Sequence, residues 1–307
     1  HLLLGNDGGI NETFDRAGTW RYVNNLAIGE FYNVTTNMRE PYYDVYGGLQ
    51  DNQSWGGPSR TRFELDNWFD DTREGHGIMN EHWFVLGGGD GFHVAADPTN
   101  PDIVYYESQG GEIARQDLAS GRERSLRPSH NEGEPVFRFN WNTPFFLSPH
   151  DPSVLFMGGQ YVFRLYERGD KWERISPDLT TADPKKMVTG GSGAEQHCTI
   201  VSLSESPAKA GVLWAGTDDG KVWVTPDGGK TWRDLTANVR GVPAGLYVSR
   251  LDASPLDEQT AYLSYDGHRS DNTAPYVFVT HDQGRTWTSI AAGLPKDAPV
   301  LVVRAGR

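Results

Sequence analysis

Short runs of β-branched and aromatic residues recur along this chain. Turns rich in Gly, Pro, Asp and Asn separate them, and that pattern predicts strands joined by tight turns. The clearest stretch places four successive strands at 197–204, 212–216, 221–225 and 231–235. No stretch carries a convincing helical period; 180–187 has room for one turn. No apolar run approaches the ~20 residues of a membrane helix.

Two elements repeat. Thr-Pro-Asp-Gly-Gly-Lys-Thr-Trp at 225–232 returns as Thr-His-Asp-Gln-Gly-Arg-Thr-Trp at 280–287. A weaker copy is Thr-Phe-Asp-Arg-Ala-Gly-Thr-Trp at 13–20, and a degenerate one at 166–172 keeps only the Gly and the Trp. In such a turn the carboxylates of Asp15, Asp227 and Asp282 can accept backbone N–H bonds. Gly tolerates a positive φ there. Trp20, Trp232 and Trp287 are expected to close the turns and pack between sheets. The second element is a Pro turn before a β-rich run, at Pro98, Pro149, Pro207 and Pro255. Its spacings of 51, 58 and 48 residues fall near the period of four-stranded propeller blades.

The 13–20, 225–232 and 280–287 segments resemble the Asp-box (BNR repeat), Ser/Thr-x-Asp-x-Gly-x-Thr-Trp. The resemblance implies an all-β fold, an Asp-box β-propeller of about six to seven four-stranded blades, or part of a larger one. The chain reads as one propeller domain or a fragment of one. Its units fall at about 1–25, 31–88, 92–128, 139–179, 197–238 and 247–294. The first unit lacks its first strand, and the second carries an insertion at about 63–80. Residues 299–303 read as strand one of a further blade or as ring closure, with 299–307 ending the chain. A chain opening on the apolar run His1-Leu-Leu-Leu-Gly5 is expected to be a piece cut from a longer protein.

Composition narrows the chemistry. The 307 residues carry 41 acids and 28 bases, a net charge of −13. That excess argues against nucleic acid, whose phosphates need a basic face. The single Cys198 rules out an internal disulfide framework and a multi-cysteine metal site. The 36 Gly and 18 Pro suit turns rather than helices. Scattered His residues show no ligand spacing, so no metal and no cofactor are expected. Asp66, Asp70, Asp71 and Glu74 lack calcium-loop spacing and read as a solvated charge run. His197 and Cys198, adjacent on a strand, would point to opposite faces, which leaves Cys198 as a small core residue.

In a blade the Asp-box turn joins strands three and four. The two-to-three and four-to-one loops then share the opposite face, which collects the remaining candidates. Ligand-binding candidates are Gln50, Asp51, Asn52, Trp55, His93, Gln109, Asp218, Asp266, His268 and Arg269. Tyr-Gly-Gly-Leu-Gln-Asp-Asn at 46–52 and Gly-Gly-Asp-Gly-Phe at 88–92 look like bacterial sortilin-like repeat proteins, often labelled glycosyl hydrolases. Loops around Asp7 and Asp90 are similar to those holding the catalytic acids of xyloglucanases, each lacking one residue of that pattern. The sialidase Arg-Ile-Pro motif is missing.

Two readings stay open. One is an extracytoplasmic scaffold, secreted or periplasmic by resemblance, that binds a polysaccharide or a polypeptide. The other is an endo-acting glycoside hydrolase with Asp7 and Asp90 as paired carboxylates, a second propeller being possible in the full-length protein.

Overall fold

The computed structural model describes residues 1–6, 9–23, 29–60, 78–188 and 196–306. Asp7, the 66–74 acidic run and all but residues 78–80 of the 63–80 insertion therefore lie outside the described residues. By its internal contacts the chain divides into residues 1–30 and 31–307.

The first unit is a three-stranded antiparallel sheet of β1 (Leu2–Asn6), β2 (Gly9–Thr13) and β3 (Arg21–Val23). Glu12 on β2 pairs with Arg21 on β3. The turn at 13–20 forms as its residues require. Asp15 accepts Thr19 N and Thr19 Oγ1 at 2.8 and 2.7 Å, and Ala17 N donates to Thr13 Oγ1. Those bonds, the Thr19 N–H foremost, lower the Asp15 carboxyl to about 2. Arg16 and Ala17 hold φ of 58° and 72°, so this copy makes the turn without glycine at its left-handed positions. Trp20 is 44% exposed within this unit.

The second unit holds five four-stranded antiparallel sheets. The first is β4 (Phe31–Thr36), β5 (Asp44–Leu49), β6 (Ser54–Pro58) and β7 (Phe84–Gly87). The second is β8 (Gly91–Ala96), β9 (Ile103–Ser108), β10 (Glu112–Asp117) and β11 (Arg122–Ser125). The third is β12 (Phe145–Leu147), β13 (Leu155–Gly158), β14 (Val162–Tyr166) and β15 (Lys171–Arg174). The fourth is β16 (Ile200–Glu205), β17 (Leu213–Thr217), β18 (Val222–Thr225) and β19 (Arg233–Asp234). The fifth is β20 (Tyr247–Ala253), β21 (Ala261–Gly267), β22 (Asn272–Thr280) and β23 (Thr288–Ser289). Each is a meander in chain order.

Four hydrophobic cores lie between successive sheets. Tyr46 and Leu86 meet Val104 and Tyr106. Tyr105 and Ile113 meet Leu155 and Phe163. Val162 and Leu179 meet Ile200 and Leu213. Trp214 and Val222 meet Leu251 and Leu263. A meander buried on both faces by its neighbours is a propeller blade, and the fold is an all-β propeller of about six blades.

The turns at 225–232 and 280–287 join the last two strands of their sheets. Asp227 accepts Thr231 N and Oγ1 at 2.9 and 2.7 Å, and Asp282 binds Thr286 in the same way. Their glycines also permit close approach. A Cβ on Gly229 would strike Ile175, and one on Gly284 would strike Leu235, each on the preceding sheet. Trp232 donates from Nε1 to Ile175 O at 2.8 Å. Trp287 packs edge-on to Trp214, 6.1 Å between ring centroids. Trp172 of the degenerate copy packs against the core beneath Phe163.

Two expectations are corrected. Residues 299–303 form no strand; that run lies beside β20, where Ser249 Oγ donates to Val300 O and Ala305 N donates to Asp252, each at 2.9 Å. Strand one of the fourth sheet begins at Ile200, not His197, because Cys198 adopts a left-handed φ of 63°. The 180–187 segment holds one turn, Met187 N donating to Asp183 O.

Candidate loop-face site

The β5–β6 and β9–β10 hairpins and the 88–90 connection bring one group of candidates together. Asp51 N donates to Asp90 Oδ1 at 2.8 Å, and Asp90 N donates to Gln109 Oε1 at 2.7 Å. Gln53 N donates to Gly89 O, and a Cβ on Gly91 would strike Gln53. Asp90 is thus a clamp between two hairpins. Tyr32 donates to Gln50 Oε1 at 2.9 Å and lies 4.6 Å from the ring of buried Phe92, which meets Trp141 edge-on at 6.5 Å. Asn52 Nδ2 closes the tip onto Gln50 O, and Trp55 Nε1 donates to Asn52 O at 2.6 Å. Half-exposed Tyr32 thus stands beside the Gln50 amide, and half-exposed Trp141 packs against the same Phe92.

His93 faces Phe145 at 6.1 Å. Burial, reinforced by the Arg250 charge, lowers its imidazole to about 4 and keeps it neutral. Behind it Glu107 is fully buried. Its carboxyl is raised well above the ordinary range by burial, which outweighs the nearby backbone N–H groups; Thr143 N donates to its Oε1 at 3.2 Å. Its Oε2 has no partner.

A second group gathers on the β17–β18 and β21–β22 hairpins. Asp218 accepts Thr199 N and Oγ1 at 3.0 and 2.7 Å, and its carboxyl is raised by burial. Asp219 accepts Thr181 N and Oγ1 at 2.7 and 2.6 Å. Burial pushes its carboxyl up, but those bonds and Thr217 outweigh it and the net shift is downward. Asp266 accepts His268 N at 3.0 Å and meets His268 Nδ1 at 2.5 Å. Arg269 lies 5.4 Å over the Tyr247 ring. Burial raises the Tyr247 phenol to about 12.

One device recurs at this end of the sheets: a side chain on or beside a two-to-three hairpin accepts the backbone N–H of an incoming connection. Gln109 takes Asp90, Gln160 takes Arg138 at 2.6 Å, Asp218 takes Thr199 and Asp219 takes Thr181. Such bonds satisfy loop donors that no ladder reaches and fix the loops in place. Sequence reasoning missed Gln160, Glu107, Tyr247 and Tyr32. Gln160 lies between β13 and β14, while Glu107, Tyr32 and Tyr247 lie within β9, β4 and β20, where nothing local in the sequence marks them. His197 Nδ1 and Cys198 Sγ do approach, at 3.7 Å, because residue 198 turns left-handed. The thiol is buried and raised by that burial, which disfavours the reactive thiolate. Among the described residues no group of His, Cys, Asp and Glu is placed to hold a metal ion, and no helix is long and apolar enough to cross a membrane.

No protein-family model matches the chain, and no curated protein matches it. Among solved structures, a chain of the mitotic checkpoint complex is 11% identical, with a TM-score of 0.51 over 96% of this chain and 74% of that one. The Pan2 WD40 domain of Neurospora crassa is 12% identical, with a TM-score of 0.46 over 85% and 65%. The computationally designed Ika8 protein is 12% identical, with a TM-score of 0.44 over 84% of this chain; this chain spans 60% of it. The likeness to the checkpoint chain is one of fold.

Proposed function

We propose that this chain is an Asp-box propeller of the sortilin-like repeat kind, and that it acts outside the cytoplasm as a polysaccharide-binding scaffold. The loop face of residues 31–307 is the binding surface. One observation carries the reading: Asp90, the acid that a hydrolase would free for catalysis, is engaged with Asp51 N while Gln109 pins its own backbone. A carboxylate tied into a clamp serves rigidity, and rigid loops carrying half-exposed aromatics lower the entropic cost of binding. Tyr32 and Trp141 offer the stacking surface, and Gln50 and Asn52 the hydroxyl partners.

The test is affinity electrophoresis in gels containing xyloglucan, other β-glucans or pectin. Retardation by at least one polysaccharide, reduced by Trp141→Ala, is the expected result. Free migration in all gels, with capture by a polypeptide ligand instead, would replace the polysaccharide with a protein partner.

A further inference from the structure

The chain carries 41 acids against 28 bases, yet among the described residues Lys186, His268 and Arg269 are exposed at the loop end of the last two sheets. Asp218 and Asp219 are buried, and their oxygens are taken by Thr199, Thr181 and Thr217. Asp266 is 7% exposed and both its oxygens meet His268. Half-exposed Asp183 caps its own turn at Lys185 N, and Asp271 is exposed on the β21–β22 hairpin.

Lys186, His197, His268 and Arg269 reach solvent here, His197 partly so. Two of them flank the start of β20, Arg269 at Tyr247 and Lys186 at Gly245. Arg269 lies over the Tyr247 ring, and the charges of Asp218 and Asp266 act on its phenol. Lys186 Nζ stands 3.2 Å from the place a Cβ would take on Gly245, and His197 lies 3.7 Å from Asp218. Gly220 and Gly245 touch backbone to backbone, bringing the β17–β18 hairpin against the connection into β20.

We propose that this cluster is a carboxylate-recognition site for a uronic-acid polysaccharide, an inference that rests on the polysaccharide-binding reading above. Arg269 and Lys186 pair with sugar carboxylates, as a guanidinium and an ammonium do at a solvent-facing site. His268, held by Asp266 through Nδ1, presents Nε2 to a sugar hydroxyl. On a chain of net charge −13 a polyanion is repelled in general, so local cations must supply its foothold.

The experiment is calorimetric titration of the intact protein with a galacturonate oligomer, its methyl ester and an oligoglutamate of equal charge. The acid is expected to bind about tenfold more tightly than the ester, the scale of one charge-assisted bond. Arg269→Ala and Lys186→Ala, both at exposed positions, are each expected to erase most of that difference, with unchanged circular dichroism. Equal binding of acid and ester would overturn the site and leave the polysaccharide scaffold standing. Absence of binding by both, together with free migration in every gel, would remove both readings. Oligoglutamate binding as tightly as the sugar acid would also overturn it, since the site would then answer to charge alone.

Discussion

The carboxylate of Asp90 accepts the backbone N–H of Asp51 at 2.8 Å, across 39 residues of sequence. Both residues stood among the loop-face candidates, one as a catalytic acid and one as a ligand contact. Their bond ties two hairpins together. Asp90→Ala removes the acceptor and leaves the Asp51 N–H to solvent. A loss of about 1 kcal/mol in urea melts is expected; Asp90→Asn, which keeps an acceptor oxygen, should lose less.

The two full turn copies differ from ordinary hairpins in what their glycines touch. Gly284 sits at φ 76° with Leu235 against the missing Cβ. Gly284→Ala combines left-handed strain with a clash and is expected to cost about 2 kcal/mol. Ala17→Gly, at φ 72° in the first unit, should move stability the other way. Denaturant midpoints of the two variants check both signs.

Trp232 hands its indole N–H to Ile175 O on the preceding sheet and packs on the core there. Trp232→Ala should cost about 3 kcal/mol, the low end for a large aromatic because this one is half-buried. A melt with less than ~1 kcal/mol of change would contradict its place between the sheets.

Glu107 gives a pH signature. Its folded pKa is raised, so it still holds its proton in the folded state where the unfolded chain has lost it. Its contribution is fully present below the unfolded value near ~4.3 and is lost as pH rises towards the folded value. Glu107→Gln keeps a neutral acceptor for Thr143 N, so the variant should gain on the parent as pH rises from 5 to 8. Parallel stability curves at both pH values would show that Glu107 is ionised throughout. His93, lowered to about 4, should show no imidazole titration by NMR between pH 5 and 8.

The strands and turns were legible because they are local. β17 and β18 fall where β-branched runs between Gly and Asp place them, and the Thr-to-Trp turns close on their own Thr and Asp. The loop face was legible only in part. Asp218 and Asp266 were placed on it by blade symmetry. What they bind was hidden, since Thr199 lies 19 residues from Asp218 and Glu107 reaches Thr143 across 36. Apolar residues 299–303 look like a strand in sequence. Hydropathy does not say whether a backbone partner waits beside them, and here side chains of β20 hold the run instead.

The central claim is that the loop face binds polysaccharide without cleaving it. One measurement reaches it directly: retention of the protein by xyloglucan, other β-glucans and pectin, with reducing ends assayed in the same samples. Retention with no rise in reducing ends above a protein-free control is the predicted result. Release of reducing ends that Asp90→Asn abolishes would contradict it and make the clamped carboxylate a catalytic acid.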